Sequence, residues 1–389
     1  MCNVRCVSRT TLSNIRASAG STVCLTPAHR PEDGRSGRAV LDVICLGEAL
    51  IAFRPAEDEG LGDAPSFVRG VGGAESNVAC ALSRWGHRTG WIGRVGTDGF
   101  GTHVLETLAA HGVDTSAARR DPHRSTGLYF RTPGERATTA GDPAPGRAEV
   151  AYYRAGSAAS ALSPDLVDRD TAWAGRVLHL SGITAALSAS CLALLRALTA
   201  PGSRRPLVSF DVNYRVGLWR TAPESPDVLM ELARRSDIVF VGEDEAEAAW
   251  GVRGAGAIRA ALPEPAVLVV KQGAAGATVH AGDGLVVSES APAVEVVAPV
   301  GAGDAFAAGF LSGTLRGLPY AARLRHGHLL AAAALTSPGD LADPPPAREH
   351  ADRLVALGSA AWGRLRLGPG WADGTRAQDL QKVQEERTA

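Results

Sequence analysis

A run of small residues with one carboxylate, near the C-terminal end of the chain, has the composition of a phosphate-binding loop. The segment reads APVGAGDAFAAGFLSG, and its apolar residues from Phe306 onward recur at helical spacing, so Gly301 and Gly303 are expected at a helix N-terminus. Free backbone amides and the helix dipole attract an anion there, and glycine lets a phosphate approach closely. Asp304 is then either a first-turn carboxylate favoured by the dipole or a base that accepts a hydroxyl proton during phosphoryl transfer.

The position of this loop argues against a dinucleotide-binding site, because the glycine fingerprint of such a site lies in the first strand–helix unit of the fold and this loop lies near the C-terminal end of the chain. A second glycine pair does precede an earlier predicted helix, in the sequence VGGAESNVACALSRWG. Gly72 and Gly73 either form a tight turn or let a ligand lie against the backbone, with Asn77 as its hydrogen-bond partner. The pattern leaves both interpretations open.

Three cationic residues follow predicted strands. Lys271 is one of only two lysines among 40 basic residues, and it stands at the end of AVLVVKQG, before Gly276. A compact ammonium group at this point suits a nearby phosphate. Arg154 in YYRAG and Arg215 in DVNYR either form surface salt bridges or provide a forked cradle for a carboxylate.

The composition of the chain bounds the class of protein that carries these residues. Its 389 residues are 45% hydrophobic and 21% charged, as in a globular protein, and the net charge of -1 offers no broad basic surface for nucleic acid. No apolar run is long enough for a membrane span, and the six cysteines show no zinc or disulfide spacing. A cytoplasmic protein with a small-molecule ligand is therefore expected.

Short apolar runs that alternate with helix-length segments from Asp42 onward predict an α/β fold with a mostly parallel sheet. The predicted strands are DVICLG, TGWIGRVG, RVLHLSG, PLVSFDVN, DIVFVG and AVLVVKQG. Two further runs, residues 125–133 and 148–156, have no helix between them and read as antiparallel strands. With the stretch from Ile51 to Arg54 they form either a separate lid sheet or an ordinary edge hairpin.

The two ends of the chain carry no predicted chemistry. Residues 1–40 read as an unstructured leader, although their composition also allows a transit peptide. Residues 351–389 are expected to contain a C-terminal helix within AREHADRLVALG and then a polar tail.

As a set, the segments quoted above resemble the ribokinase-like, or PfkB, family of sugar kinases, and within it the kinases of 2-keto-3-deoxygluconate. The two family signatures resemble GGAESNVACALSRWGHRTGWIGRVGTDGFG and VEVVAPVGAGDAFAAGFLSG, with further similarity at YYRAGSAASAL, LHLSGIT and DVNYR. The resemblance implies a kinase domain over about residues 41–350, with a central, mostly parallel sheet flanked by helices. It also implies a small β lid that covers the sugar and joins copies into a homo-oligomer, with strands near residues 50–55, 66–71, 125–133 and 148–154.

The resemblance further implies roles for individual residues. Asp304 would be the general base, and the anion hole would consist of the amides of Gly301, Ala302, Gly303 and Asp304. The sugar-acid site would contain Gly72, Gly73, Asn77, Tyr129, Tyr152, Arg154, Arg215 and Asp340. The nucleotide site would contain Lys271, Gly273, Gly276, Gly301, Gly303 and His328, and Glu245 would be linked to magnesium.

Two positions depart from the family pattern. Gly242 stands where the N-x-x-E motif has its asparagine, and His328 stands where relatives often have an asparagine near adenine. The implied activity is ATP-dependent phosphorylation of 2-keto-3-deoxygluconate to its 6-phosphate, with ATP and Mg²⁺ as cofactors and Asp304 as base. A kinase of a neutral sugar such as fructose or ribose is one alternative, and a non-catalytic binding or scaffold protein with the same fold is another.

Overall fold

The computed structural model describes residues 41–57, 59–132, 149–343 and 345–373. The predicted leader, most of the Gly/Pro-rich loop between the two antiparallel runs and the end of the polar tail lie outside the described residues. Within them, the strands β1 to β16 are, in chain order, Val43–Leu46, Leu50–Pro55, Phe67–Gly72, Thr89–Ile92, Arg94–Gly96, Arg119–Asp121, Leu128–Arg131, Val150–Tyr153, Val177–Ser181, Leu207–Asp211, Ile238–Gly242, Val267–Lys271, Ala277–Ala281, Val286–Glu289, Ala293–Val294 and Arg366–Leu367.

The α-helices of the described chain alternate with these strands. Helices α1 to α13 are, in chain order, Ala74–Arg84, Gly99–Ala110, Arg169–Ala172, Gly182–Leu187, Ala189–Thr199, Val216–Trp219, Asp227–Arg234, Glu243–Trp250, Ala255–Ala261, Ala302–Leu315, Tyr320–Leu335, Arg348–Val355 and Ser359–Trp362. None of them has both the length and the apolar character needed to cross a bilayer.

An eight-stranded sheet forms the centre of the fold, in the order β14-β13-β12-β11-β10-β9-β1-β4. The strands from β12 to β4 in this order pair in parallel, which confirms the predicted α/β class, and β13 and β14 add an antiparallel edge that was not predicted. In β1, Val43 and Cys45 face one hydrophobic core while Ile44 and Leu46 face the other. The apolar strands are therefore covered by helices on both faces, as parallel sheets require.

One predicted strand is divided in the structure. The run TGWIGRVG was expected to be continuous, but β4 ends at Ile92 and β5 leaves the main sheet to pair with β6. Gly93 lies at the break, where a side chain would clash with Trp91 and with the carbonyl oxygen of Gly47. Close packing against the neighbouring backbone thus overrides a pattern that looks like one strand.

The lid strands form a sheet of their own, so the edge-hairpin alternative is wrong. Its order is β3-β2-β7-β8, with β2 parallel to β7 and the other two pairs antiparallel. Aromatic rings stabilise it, because Phe130 stacks on Phe53 at 5.0 Å between centroids and meets Phe67 edge to face at 5.2 Å. The opposite side of β7 and β8 presents Tyr129 and Tyr152 to the main domain.

The C-terminal helix is present as α12, and the chain beyond it packs into the same core as the central sheet. Trp362 and Trp371 are buried there, and the Trp362 indole nitrogen donates to the carbonyl oxygen of Ser290 at 2.8 Å. Strand β16 also pairs with β15. The segment to Asp373 is therefore structurally part of the main domain.

Candidate active site

The loop that opens helix α10 has the geometry of an anion site. Gly301 precedes the helix with φ 74°, and a side chain at this position would clash with the carbonyl oxygen of Asp340, so both conformation and space require glycine. The first intrahelical bond is donated by the amide of Ala305 to Gly301 at 2.9 Å. The amides of Ala302, Gly303 and Asp304 precede this bond and lie in the first turn, where an anion is favoured.

Asp304 lies in this first turn, and two asparagine side chains face its carboxylate. The Asn77 amide donates to Oδ2 at 2.9 Å, and the Asn213 amide lies 3.5 Å from Oδ1. Burial raises the pKa of Asp304 to about 7, since desolvation outweighs the hydrogen bond from Asn77 and the nearby charges of Arg215 and Lys271. A carboxyl group that titrates near neutrality in a pocket is suited to accept a proton.

Helix α1 brings Asn77 to this point. Gly73 precedes the helix with φ 136°, and a side chain there would clash with the carbonyl oxygen of Glu48, so the turn needs glycine for its own packing. The first turn of α1 is anchored by Glu75, whose Oε1 accepts hydrogen bonds from Ser181 and Thr184 at 2.7 and 2.8 Å. Burial raises the pKa of Glu75 to about 7.

A cleft of about 690 Å³ opens between the lid and the N-termini of α1 and α10. Most of the residues predicted for the sugar and the reaction line it, and they are Gly73, Asn77, Tyr129, Tyr152, Arg154, Arg215, Gly301, Asp304 and Asp340. Gly72 lies just behind this wall, because a side chain on it would reach Asp340 and Tyr129.

The lid wall of the cleft is an aromatic pair that is tied to Asp340. The rings of Tyr129 and Tyr152 stack at 5.4 Å between centroids. The Tyr129 hydroxyl donates to Asp340 Oδ2 at 2.7 Å, and Arg131 donates to Asp340 Oδ1 at 3.3 Å and to the carbonyl oxygen of Pro338 at 3.1 Å. Burial raises the pKa of Asp340, and the charge of Arg131 opposes this rise.

The two predicted arginines both reach the cleft, and each is already paired with an acid. Arg154 forms an ion pair with Glu48, and its guanidinium lies over the Tyr152 ring at 5.4 Å. Arg215 donates to Glu245 at 3.2 Å. These pairs lie at the cleft and not on the outer surface, and the binding of a carboxylate by the two arginines stays a prediction.

Lys271 reaches the anion site from the end of β12. A side-chain carbon on Gly303 would lie 3.5 Å from its ammonium nitrogen, and this nitrogen donates to both carboxylate oxygens of Asp211 at 2.9 Å. Gly273 and Gly276 follow in the turn to β13, both with positive φ. The predicted proximity of Lys271 to a phosphate site thus has a geometric basis.

The structure gives less support to the other two nucleotide and metal positions. His328 is buried, its Nε2 lies 3.1 Å from the carbonyl oxygen of Glu289, and its ring meets Phe306 edge to face, which leaves little surface for adenine. Among the described residues no group of three or more His, Cys, Asp or Glu side chains could hold a metal ion. Glu245 uses one carboxylate oxygen for Arg215 and the other for the amide of Gly242 at 2.7 Å, so it does not fit as a direct magnesium ligand.

Sequence reasoning missed three polar residues of the cleft. Glu48 follows β1, Arg131 ends β7, and both lie in short apolar stretches that read as structural. Asn213 has φ 44°, a positive value in a non-glycine residue, and its buried Oδ1 has no hydrogen-bond partner within the described chain. The motif DVNYR contained a signal for it, because this asparagine lies two residues after the end of the buried strand β10.

A helix-terminal anion site, a buried carboxylate beside it and a lid over a polar cleft are the parts that phosphoryl transfer to a small hydroxylated molecule requires. Residues 40–348 match the family model described as pfkB family carbohydrate kinase, and the chain belongs to that family. It is a carbohydrate kinase.

The names of two relatives state the substrate on which each of them acts. The chain is 36% identical to the 2-dehydro-3-deoxygluconokinase of Bacillus subtilis, an alignment that covers 79% of this chain and 94% of the relative. It is 32% identical to the 2-dehydro-3-deoxygluconokinase of Thermoproteus tenax over 82% of this chain and 96% of the relative. Among solved structures, a sugar kinase of Pyrococcus horikoshii in complex with ATP matches with a TM-score of 0.67 at 25% identity, covering 82% of this chain and 99% of that one.

Proposed function

We propose that this carbohydrate kinase transfers the γ-phosphoryl group of ATP to the terminal hydroxyl of 2-keto-3-deoxygluconate and forms the 6-phosphate. The observation that carries the proposal is Asp304, a buried carboxyl group with a pKa of about 7 that shares the first turn of α10 with the anion site. The names of the two relatives above support the substrate. The ATP in the structure of the Pyrococcus horikoshii sugar kinase supports the donor.

The arrangement supports a direct, in-line transfer. The hydroxyl oxygen at C6 attacks the γ-phosphorus while the bond to the bridging oxygen of ADP breaks, and the hydroxyl proton passes to Asp304. Charge on the moving phosphoryl group is stabilised by the amides of the first turn of α10 and by Lys271. Asn77 orients the carboxylate of Asp304 through its hydrogen bond.

The arginine pairs give specific support to a second candidate, a kinase of a neutral sugar such as fructose or ribose. Arg154 and Arg215 already have carboxylate partners, so the cleft does not present two unpaired cations. The cleft can then select a sugar acid over a neutral sugar only if an arginine leaves its carboxylate partner when the substrate binds.

A panel of sugars tests both candidates together with the non-catalytic alternative. ATP consumption is measured with 2-keto-3-deoxygluconate, fructose and ribose, and the product is identified by mass spectrometry and phosphorus NMR. The proposal expects the highest kcat/KM on the keto-acid and phosphorylation at C6. Preference for fructose or ribose would favour the second candidate, and a folded protein that consumes no ATP with any of them would favour a scaffold.

The base is tested by Asp304→Asn, a neutral residue of the same shape. We expect kcat to fall by about two to four orders of magnitude while binding of the sugar is retained. Calorimetric titration with the sugar checks binding in the same preparation. Near-normal turnover would contradict the role of Asp304.

The remaining implied roles stay predictions. Contacts of Gly273, Gly276 and His328 with the nucleotide can be tested by the KM for ATP after substitution, and the predicted Mg²⁺ requirement by activity after chelation and readdition of the ion. If Glu245 acts on the ion only through water or phosphate, Glu245→Gln should change the magnesium dependence less than it changes the KM for the sugar, since its contact is Arg215.

We also propose that two copies associate through the lid. Exposed apolar residues of the lid outside the cleft lie on its two edge strands, Val68 on β3 and Tyr153 on β8, and Tyr153 is 65% exposed. Unpaired strand edges that carry apolar side chains favour association. Light scattering on Val68→Asp and Tyr153→Asp variants should show a smaller assembly than that of the parent protein.

A further inference from the structure

Three arginines line the cleft, and each contacts a buried carboxylate, but the three acids are not equivalent. Glu245 does not line the cleft, and both oxygens of Asp340 are held by donors from the lid. Glu48 lines the cleft itself and is fixed by the Arg154 guanidinium and by the Ser157 hydroxyl, which donates to Oε1 at 3.3 Å. Of these acids, Glu48 therefore lies where a substrate carboxylate would compete for an arginine.

Arg154 is constrained so that it cannot swing out to meet a ligand. Its side chain is only 11% exposed, and its guanidinium lies over the ring of Tyr152. Its Nε is buried and has no hydrogen-bond partner in the described part of the chain, so the ion pair with Glu48 is the contact that compensates its charge. A buried guanidinium needs a compensating charge, and Glu48 supplies it.

We propose that Glu48 is the resident counter-ion of Arg154 and that the carboxylate of the sugar acid takes its place, which makes Glu48 a specificity-determining residue. The inference rests on the proposed function, because it requires that an acid enters the cleft. Two carboxylates beside one guanidinium repel each other, so an acid that binds Arg154 competes with Glu48 for it. A neutral sugar leaves the pair intact. The strength of the Arg154–Glu48 pair thus sets how far the cleft favours acids.

The substitution Glu48→Gln removes the competing charge and keeps the shape and the contact with Ser157. We expect the KM for 2-keto-3-deoxygluconate to fall about tenfold, as the loss of one repulsive contact at moderate dielectric would produce, while the KM for ATP is unchanged. D-Gluconate and D-glucitol, which differ only at C1, a carboxylate in the first and a hydroxymethyl group in the second, serve as competitive inhibitors. The ratio of the inhibition constant of glucitol to that of gluconate should rise by the same factor.

Two further variants separate this effect from a general disturbance. Glu75→Gln neutralises a neighbouring buried carboxyl that is bonded to the hydroxyls of Ser181 and Thr184, and it should leave the inhibitor ratio unchanged. In an Arg154→Gln background, Glu48→Gln should no longer alter the ratio. An unchanged or lower ratio in the folded Glu48→Gln single variant would overturn the inference.

The outcome remains decidable if Glu48→Gln does not fold. A crystal structure of the unmodified enzyme with the keto-acid and a non-hydrolysable ATP analogue should then show Arg154 on the substrate carboxylate and Glu48 more than 4 Å away, the ordinary limit for an ion pair. An intact Arg154–Glu48 pair in that complex would overturn the inference. Failure of the unmodified enzyme to phosphorylate the keto-acid would instead refute the proposed function.

Discussion

The hydrogen bond from Asn77 to Asp304 should set the pH at which the enzyme becomes active. Asn77 donates to Oδ2 at 2.9 Å and favours the ionised carboxylate, whereas burial favours the neutral acid and brings the pKa to about 7. In Asn77→Leu the bond is lost, the size is kept, and an apolar group excludes a replacing water. The pKa of Asp304 should therefore rise.

The size of the shift follows from the strength of such a bond. A hydrogen bond to a charged group contributes about 1.5–3 kcal/mol and one pKa unit corresponds to about 1.4 kcal/mol, so the rise is about one to two units. Because the base works in its ionised form, the acid limb of kcat/KM should move from about pH 7 to about pH 8–9. At pH 7 the variant should lose about fivefold to fiftyfold in kcat/KM, and at pH 9.5 most of this loss should disappear.

The assay is a pH profile of kcat/KM for the sugar at saturating ATP. Any contribution of the nucleotide's own phosphate titration is the same in both proteins and cancels in the comparison. Asp304→Asn is the control, since it has no titrating base and should not recover at high pH. An acid limb that stays in place, or moves to lower pH, in Asn77→Leu would refute the assignment of Asp304 as the titrating base.

Three further outcomes are expected. Asp304→Asn should unfold at a higher temperature than the parent protein at pH 8 and at the same temperature near pH 4, which calorimetry at both pH values checks. The reason is that the pKa of Asp304 is about 7 in the folded state and lower in the unfolded state, so its carboxyl destabilises the fold progressively as the pH rises from 4 through 7. Arg131→Met should raise the KM for the sugar more than Arg131→Lys does, since only lysine keeps a charge beside Asp340, and steady-state kinetics would show equal effects if charge were irrelevant. Trp362→Ala should lower the free energy of unfolding by about 3–5 kcal/mol in urea titrations, whereas a negligible change would mean that the C-terminal segment is not part of the core.

The helix α10 site could be predicted because local chemistry determines it. Glycines before an apolar run at helical spacing indicate a helix N-terminus, and Asp304 lies in the first turn of that helix. The parallel strands were equally visible, since their continuous apolar runs reflect burial on both faces. The break at Gly93 was not visible, because it depends on contact with Gly47, which is distant in sequence.

The acids that pair with the arginines of the cleft could not be predicted, because these pairs also depend on contacts between parts of the chain that are distant in sequence. Arg154 and Arg215 were identified, but their pairing with Glu48 and Glu245 depends on how the lid and the strand ends meet in space. A guanidinium beside a pocket has the same sequence signal whether it is open to a ligand or already neutralised. The pattern thus identified the arginines and missed the acids that control them.

Asp340 connects two parts of the enzyme that perform separate tasks. Its carboxylate is held by Tyr129 and Arg131 of the lid, while its backbone carbonyl lies against Gly301 at the start of α10. The position of the lid and the geometry at the start of α10 are therefore coupled through this residue.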